Sequence, residues 1–125
     1  MSSSTQSKGF TLLEVLITLV ILSVALLGLA GLMATTVRNN AYGETITEAT
    51  TMAQDKLEEF KATLWTNLLP TTSGPRTDQR TSSTGINFTR AWTIVANGSI
   101  KTITITVSWT DRINHLITIL SVLSQ

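Results

Sequence analysis

Hydrophobic and polar positions fall into three regimes along the chain. The first is unbroken: residues 15–34 read VLITLVILSVALLGLAGLMA, with Thr18 and Ser23 as the only polar side chains. Twenty residues in a helix rise about 30 Å, the thickness of a bilayer's hydrocarbon core. The remaining ~90 residues are too few to enclose a helix that is apolar on every face, so the pattern predicts membrane insertion rather than burial in a core. The run is longer than the apolar stretch of a secretory signal, and no Ala-x-Ala-type site follows it. Lys8 stands immediately before it, which keeps the N-terminus cytoplasmic and sends the residues after Arg38 to the far side.

The second regime is periodic. Ile46, Ala49, Ala53, Leu57, Phe60 and Leu64 are spaced by three or four, the stripe of an amphipathic helix, and the charged residues between Glu44 and Lys61 lie mostly off it. One helix over 10–69 is expected, with a hydrophobic part at 10–37 and an amphipathic continuation at 38–69, closed by Pro70 and Gly74-Pro75. Residues 70–85 contain no large apolar side chain and read as a loop, with Arg76 and Arg80 solvated.

In the third regime the period falls to two. Ile86, Phe88, Trp92 and Ile94 share a face, with Arg90 as the exception, and Asn97-Gly98 offers a two-residue hairpin turn. Ile103, Ile105, Val107 and Trp109 then alternate with Thr102, Thr104, Thr106 and Ser108. A turn at 111–114 and a strand at 116–124 complete the pattern. The predicted fold is α+β: one long N-terminal helix packed on a three-stranded antiparallel sheet over 86–125.

Composition narrows the function. Seventeen charged residues give a net charge of +1, and the polar content comes mostly from 23 Thr and 12 Ser. Such a chain has no broad basic field, so nucleic acid is disfavoured as a partner. The absence of cysteine removes disulfides and thiolate metal sites, and the single histidine, His115, removes multi-histidine sites. Glu58 and Glu59 are adjacent and point to different helix sides, and no phosphate-cradling glycine loop is present. No catalytic, metal or cofactor site is expected, and Trp65, Trp92 and Trp109 read as packing residues. Asn87-Phe88-Thr89 and Asn97-Gly98-Ser99 match the glycosylation pattern but fall in a strand and a tight turn.

Between Lys8 and Arg38 the one charged residue is Glu14. A carboxylate in hydrocarbon costs roughly 2.5 to over 10 kcal/mol, so it needs either a route to the headgroups or a partner cation. Gly28 and Gly31 stand inside the apolar helix, where a glycine costs about 1 kcal/mol relative to Ala. Close helix packing and a flexible stretch both account for them.

The stretch Lys8-Gly9-Phe10-Thr11-Leu12-Leu13-Glu14-Val15-Leu16, followed by the apolar run, resembles the class III signal of type IV pilins and pseudopilins. The resemblance implies a leader at 1–9 and a prepilin peptidase that cuts between Gly9 and Phe10 and N-methylates Phe10. It implies single-pass insertion in the inner membrane, then extraction into a pilus or periplasmic pseudopilus. There Glu14 would neutralise a neighbour's terminal amine, and Gly28–Gly31 would be where the helix unwinds. Partners would be other pilins or minor pilins and an inner-membrane assembly platform. Loss of Lys8 leaves eight basic and eight acidic side chains. Ala53-Gln54-Asp55-Lys56-Leu57-Glu58-Glu59 and Val107-Ser108-Trp109-Thr110-Asp111-Arg112 resemble segments of PilV-type minor pilins. The expected function is therefore a minor pilin that primes or tips filament assembly. The alternatives are a minor pseudopilin of type II secretion, or a single-pass membrane-anchored binding domain.

Overall fold

A computed structural model describes residues 9–125; most of the expected leader, residues 1–8, lies outside the described residues. Helix α1 spans Leu12–Ala62 and is unbroken over 51 residues. The chain divides into two compact units between Ala41 and Tyr42.

In the first unit no side chain of α1 is buried, and Leu12, Leu16, Leu22, Leu27 and Leu32 are all exposed. Its hydroxyls turn inward on the backbone instead. Thr18 Oγ1 donates to the Glu14 carbonyl at 2.8 Å, Ser23 Oγ to Leu19 at 2.7 Å and Thr36 Oγ1 to Leu32 at 3.0 Å. Each of these hydroxyls thus has an i−4 carbonyl partner, which is what an apolar surrounding demands.

The second unit packs the later part of α1 on one face of a sheet. Strands β1 (Arg76–Thr81), β2 (Asn87–Asn97), β3 (Ile100–Thr110) and β4 (Asn114–Ser124) form an antiparallel meander in the order β1-β2-β3-β4. Ala49, Ala53 and Phe60 of α1 meet Phe88, Ile94, Ile103, Ile105, Val107 and Trp109 in one core. The predicted stripe is largely present, with Ile46 and Leu57 partly buried at its sides. Lys56, placed among the charges off that stripe, lies inside it. Its stem is buried, Nζ sits 4.3 Å from the Trp92 ring centroid, and it pairs with Glu59 at 3.0 Å.

The helix stops at Ala62, not Leu69. Thr63 donates to Phe60 O in a tightened last turn, Leu64 is extended, and a single 3-10 turn follows at Trp65–Asn67. Leu64 is therefore exposed and Leu68 takes the core position, 3% exposed. Lys101 Nζ donates to the Trp65 carbonyl and lies 4.3 Å from its ring centroid, which holds the chain off the helical path. Pro70 stops nothing; Thr63, Thr66 and Asn67, of low helix propensity, and these contacts have already done so.

The sheet has four strands, not three, because residues 76–81 of the expected loop form β1. Its hairpin with β2 closes through Ser82–Gly85, with Gly85 at φ +85 and Ser82 N donating to Ile86 O at 2.8 Å. This strand also accounts for Arg90. Arg90 does point to the core face, opposite Asp78 in register. Its Nε donates to Asp78 Oδ1 at 2.8 Å, Nη2 donates to Oδ2, and Nη1 donates to Met52 O at 3.2 Å. The β2–β3 turn is also shifted by one residue. Asn97 pairs with Ile100, so the loop is Gly98-Ser99, and only Gly98 takes positive φ, at +62. The last strand begins at Asn114, two residues before the predicted start.

Asp78→Ala leaves Arg90 buried without its anion. The expected loss is about 2–3 kcal/mol, below the usual range for a fully buried pair because Asp78 stays partly exposed, read as a lowered unfolding midpoint of the full chain in detergent. The Arg90 hydrogen bond holds the Asp78 carboxyl below its ordinary value of 3.8. Its stabilisation is therefore complete above that value and is lost as pH falls through the folded pKa. Unfolding midpoints should be flat near neutrality and drop below about pH 4. Asp78→Asn should flatten that drop.

Candidate functional site

The start of α1 is built by Thr11. Its Oγ1 accepts the Glu14 amide at 3.2 Å, and its carbonyl accepts Val15 N at 3.1 Å. Thr11 is therefore the N-cap and Glu14 the third helical residue. Thr-x-x-Glu is the sequence form of a capping box, and the missed signal for Thr11 was in that spacing. Glu14 thus sits in the first turn, where the positive end of the helix dipole favours an acid. Gly9 and Phe10 precede the helix, outside its hydrogen-bonded ladder, and Phe10 is 82% exposed. A peptide bond in this exposed, non-helical backbone is more accessible than one inside α1. Four positions separate Phe10 from Glu14, so an amine freed at Phe10 would lie near the same end of the helix as the carboxylate.

Gly28 and Gly31 lie in regular helix, and a Cβ added at either would meet nothing within 4 Å. Among the described residues no close approach requires glycine at these positions. Thr35 Oγ1 donates to the Gly31 carbonyl at 3.1 Å.

His115 stands in β4 rather than in the turn. Its ring stacks on Trp109 at 5.2 Å, meets Tyr42 at 5.2 Å, and its Nε2 lies 3.1 Å from Asp111 Oδ1. The Asp111 carboxyl is held below the ordinary range by the Arg112 and Ile113 amides, which donate to it, and His115 adds to this. It shapes the β3–β4 turn. Trp109 is buried, and Trp65 and Trp92 are half-buried against Lys101 and Lys56.

The described N-terminal region thus combines an exposed Gly9-Phe10 junction, an acid in the first helical turn and a long apolar helix with no buried side chain before Tyr42. Residues 4–30 match the family model of the prokaryotic N-terminal methylation motif. The match, together with the apolar helix and the antiparallel head, marks the chain as a type IV pilin-like prepilin with a membrane-anchoring N-terminal segment. Comparison with curated proteins and with solved structures gave no match.

Thr11→Ala removes the acceptor for the Glu14 amide, a change worth about 1 kcal/mol at an N-cap. In detergent micelles the Glu14 amide should exchange with solvent roughly fivefold faster, while amides beyond Leu22 keep their rates.

Proposed function

We propose that this chain is a minor pilin: a low-copy structural subunit, not an enzyme, that enters a priming or tip complex of a type IV filament. The observation that carries the reading is the pairing of the methylation-motif helix with a small head that has no disulfide. The Ala53–Glu59 and Val107–Arg112 segments, which resemble PilV-type minor pilins, favour a minor over a major subunit. A minor pseudopilin of type II secretion is the second reading, since the same helix and head serve both machines.

The mechanism follows from the helix. The peptidase cuts at Gly9–Phe10 and methylates the new amine of Phe10. In the membrane, with the N-terminus on the cytoplasmic side, α1 waits as a single span. In the filament its apolar faces pack on the helices of other subunits, and lipid is exchanged for protein at little hydrophobic cost. What then fixes axial register is charge: Glu14 pairs with the amine of a neighbouring subunit, and an unpaired carboxylate at that depth is penalised. Gly28 and Gly31 are the positions at which the helix would unwind on assembly, since glycine has low helix propensity and a Cβ at either would have open space around it.

Mass analysis of the mature protein should find Phe10 as the first residue, heavier by one methyl group. An intact N-terminus, or a cut beyond residue 30, overturns the reading. Glu14→Ala should be processed normally yet fall at least tenfold in sheared filaments, the effect of about 1.4 kcal/mol or more. Recovery of the chain from sheared pili, as opposed to a secretion-system preparation, separates the two machines.

A further inference from the structure

The two edges of the sheet differ. β1 is six residues long, and Arg76, Asp78 and Arg80 are charged. Charges on an edge oppose addition of another strand. β4 is eleven residues long, as are β2 and β3, and contains no Pro, Gly, Asp, Glu, Lys or Arg. On its outer face Leu116, Leu120 and Val122 are exposed by 68%, 65% and 56%. On its inner face Ile117, Ile119 and Leu123 are only partly buried. Among the described residues no strand pairs with its far edge. The adjoining outer row of β3, Thr102, Thr104, Thr106 and Ser108, is uncharged as well. A long edge with apolar side chains on both faces and no Asp, Glu, Lys or Arg to guard it is a template for strand addition.

We infer that the β4 edge takes a fifth strand from a different subunit of the pilin class, antiparallel to β4. The inference rests on the subunit reading above. The direction comes from topology: a four-stranded meander has edge strands that run in opposite directions. A neighbouring head of like topology and like orientation, as helices sharing one filament axis require, therefore presents its first strand antiparallel to β4. The chemistry of that strand comes from charge. An acid or base placed beside Ile117–Val122 would be desolvated without a partner, so the incoming strand is uncharged and alternates apolar with hydroxyl side chains. This chain's own β1 fails that condition at Arg76 and Arg80, which disfavours a second copy in the filament orientation. Two β4 strands paired antiparallel would satisfy the chemistry. Their two-fold axis, normal to the sheet, would set the sheet-packed helices of the two copies in opposite directions, against a common filament axis. The occupant is thus a neighbour with an uncharged edge, and this subunit accepts a strand on one side only.

The chain has no cysteine, so one introduced thiol is unique. Full-length Leu120→Cys, labelled with a benzophenone maleimide in membranes of filament-producing cells, is photolysed beside Thr77→Cys on β1. The expected photoproduct at position 120 exceeds that at 77 by at least about fivefold, since β1 is the guarded edge. Peptide mapping should place it in an edge strand of another protein that itself begins with a methylated residue. Leu116→Cys and Val122→Cys should mark that strand in reverse order. Adducts in this chain's own sheet, adducts in parallel order, or equal yield at position 77 overturn the inference. Leu120→Lys, checked for a wild-type melt, should lower recovery in the filament fraction at least roughly tenfold; wild-type recovery also overturns it. If the unlabelled wild-type chain is not cut after Gly9 or never enters filaments, the subunit reading itself has failed. Cleavage and incorporation without β4-specific adducts defeat strand addition alone.

Discussion

A helix that is apolar on every face cannot be buried by a chain of this size, and that constraint governs the rest of the molecule. The first part of α1 leaves its leucines and valines uncovered, so its surroundings must be lipid or the helices of other subunits. The few polar groups in the span conform to this. Thr18, Ser23, Thr35 and Thr36 satisfy their hydroxyls on the i−4 carbonyls, so these four donors do not face hydrocarbon unpaired. Glu14 is the exception, and it stands where the helix end itself supplies some positive potential.

The head solves the opposite problem, a core with little apolar material. Three cations are built into it, and each is satisfied by partners named on the surrounding elements. Lys56 pairs with Glu59 and lies over Trp92. Arg90 ties β2 to Asp78 of β1 and to the Met52 carbonyl of α1. Lys101 ties β3 to the turn at Trp65. Their aliphatic stems extend the core, and their charged ends fix where the helix, the turn and β1 sit on the sheet. This arrangement leaves β1 charged and β4 uncharged, so the fold presents one guarded edge and one open edge.

Much of this was legible in the residue pattern. The twenty-residue apolar run, the 3–4 spacing from Ile46 to Phe60 and the alternation along β2 and β3 each have a period that one kind of element satisfies. The N-terminal methylation motif at residues 4–30 is likewise local, carried by one short stretch of chain. Thr11 was legible too, as the first residue of Thr-x-x-Glu. β1 was not: RTDQRT has no apolar alternation, and its place in the sheet depends on Arg90 needing an anion twelve residues away. Nor was the end of α1, where Leu68 and Lys101 draw the chain away from a helix that no proline had yet stopped.

The sequence by itself determined the membrane-length helix, the N-terminal methylation motif and an antiparallel head, since these follow from local periodicity and from short-range chemistry. Tertiary structure decided the fourth strand, the early stop at Ala62, the burial of Lys56 and Arg90 and the contrast between the two sheet edges. Those features depend on partners distant in the chain: a buried charge finds its counterion, and an edge is open or guarded, only once the strands have been put in order.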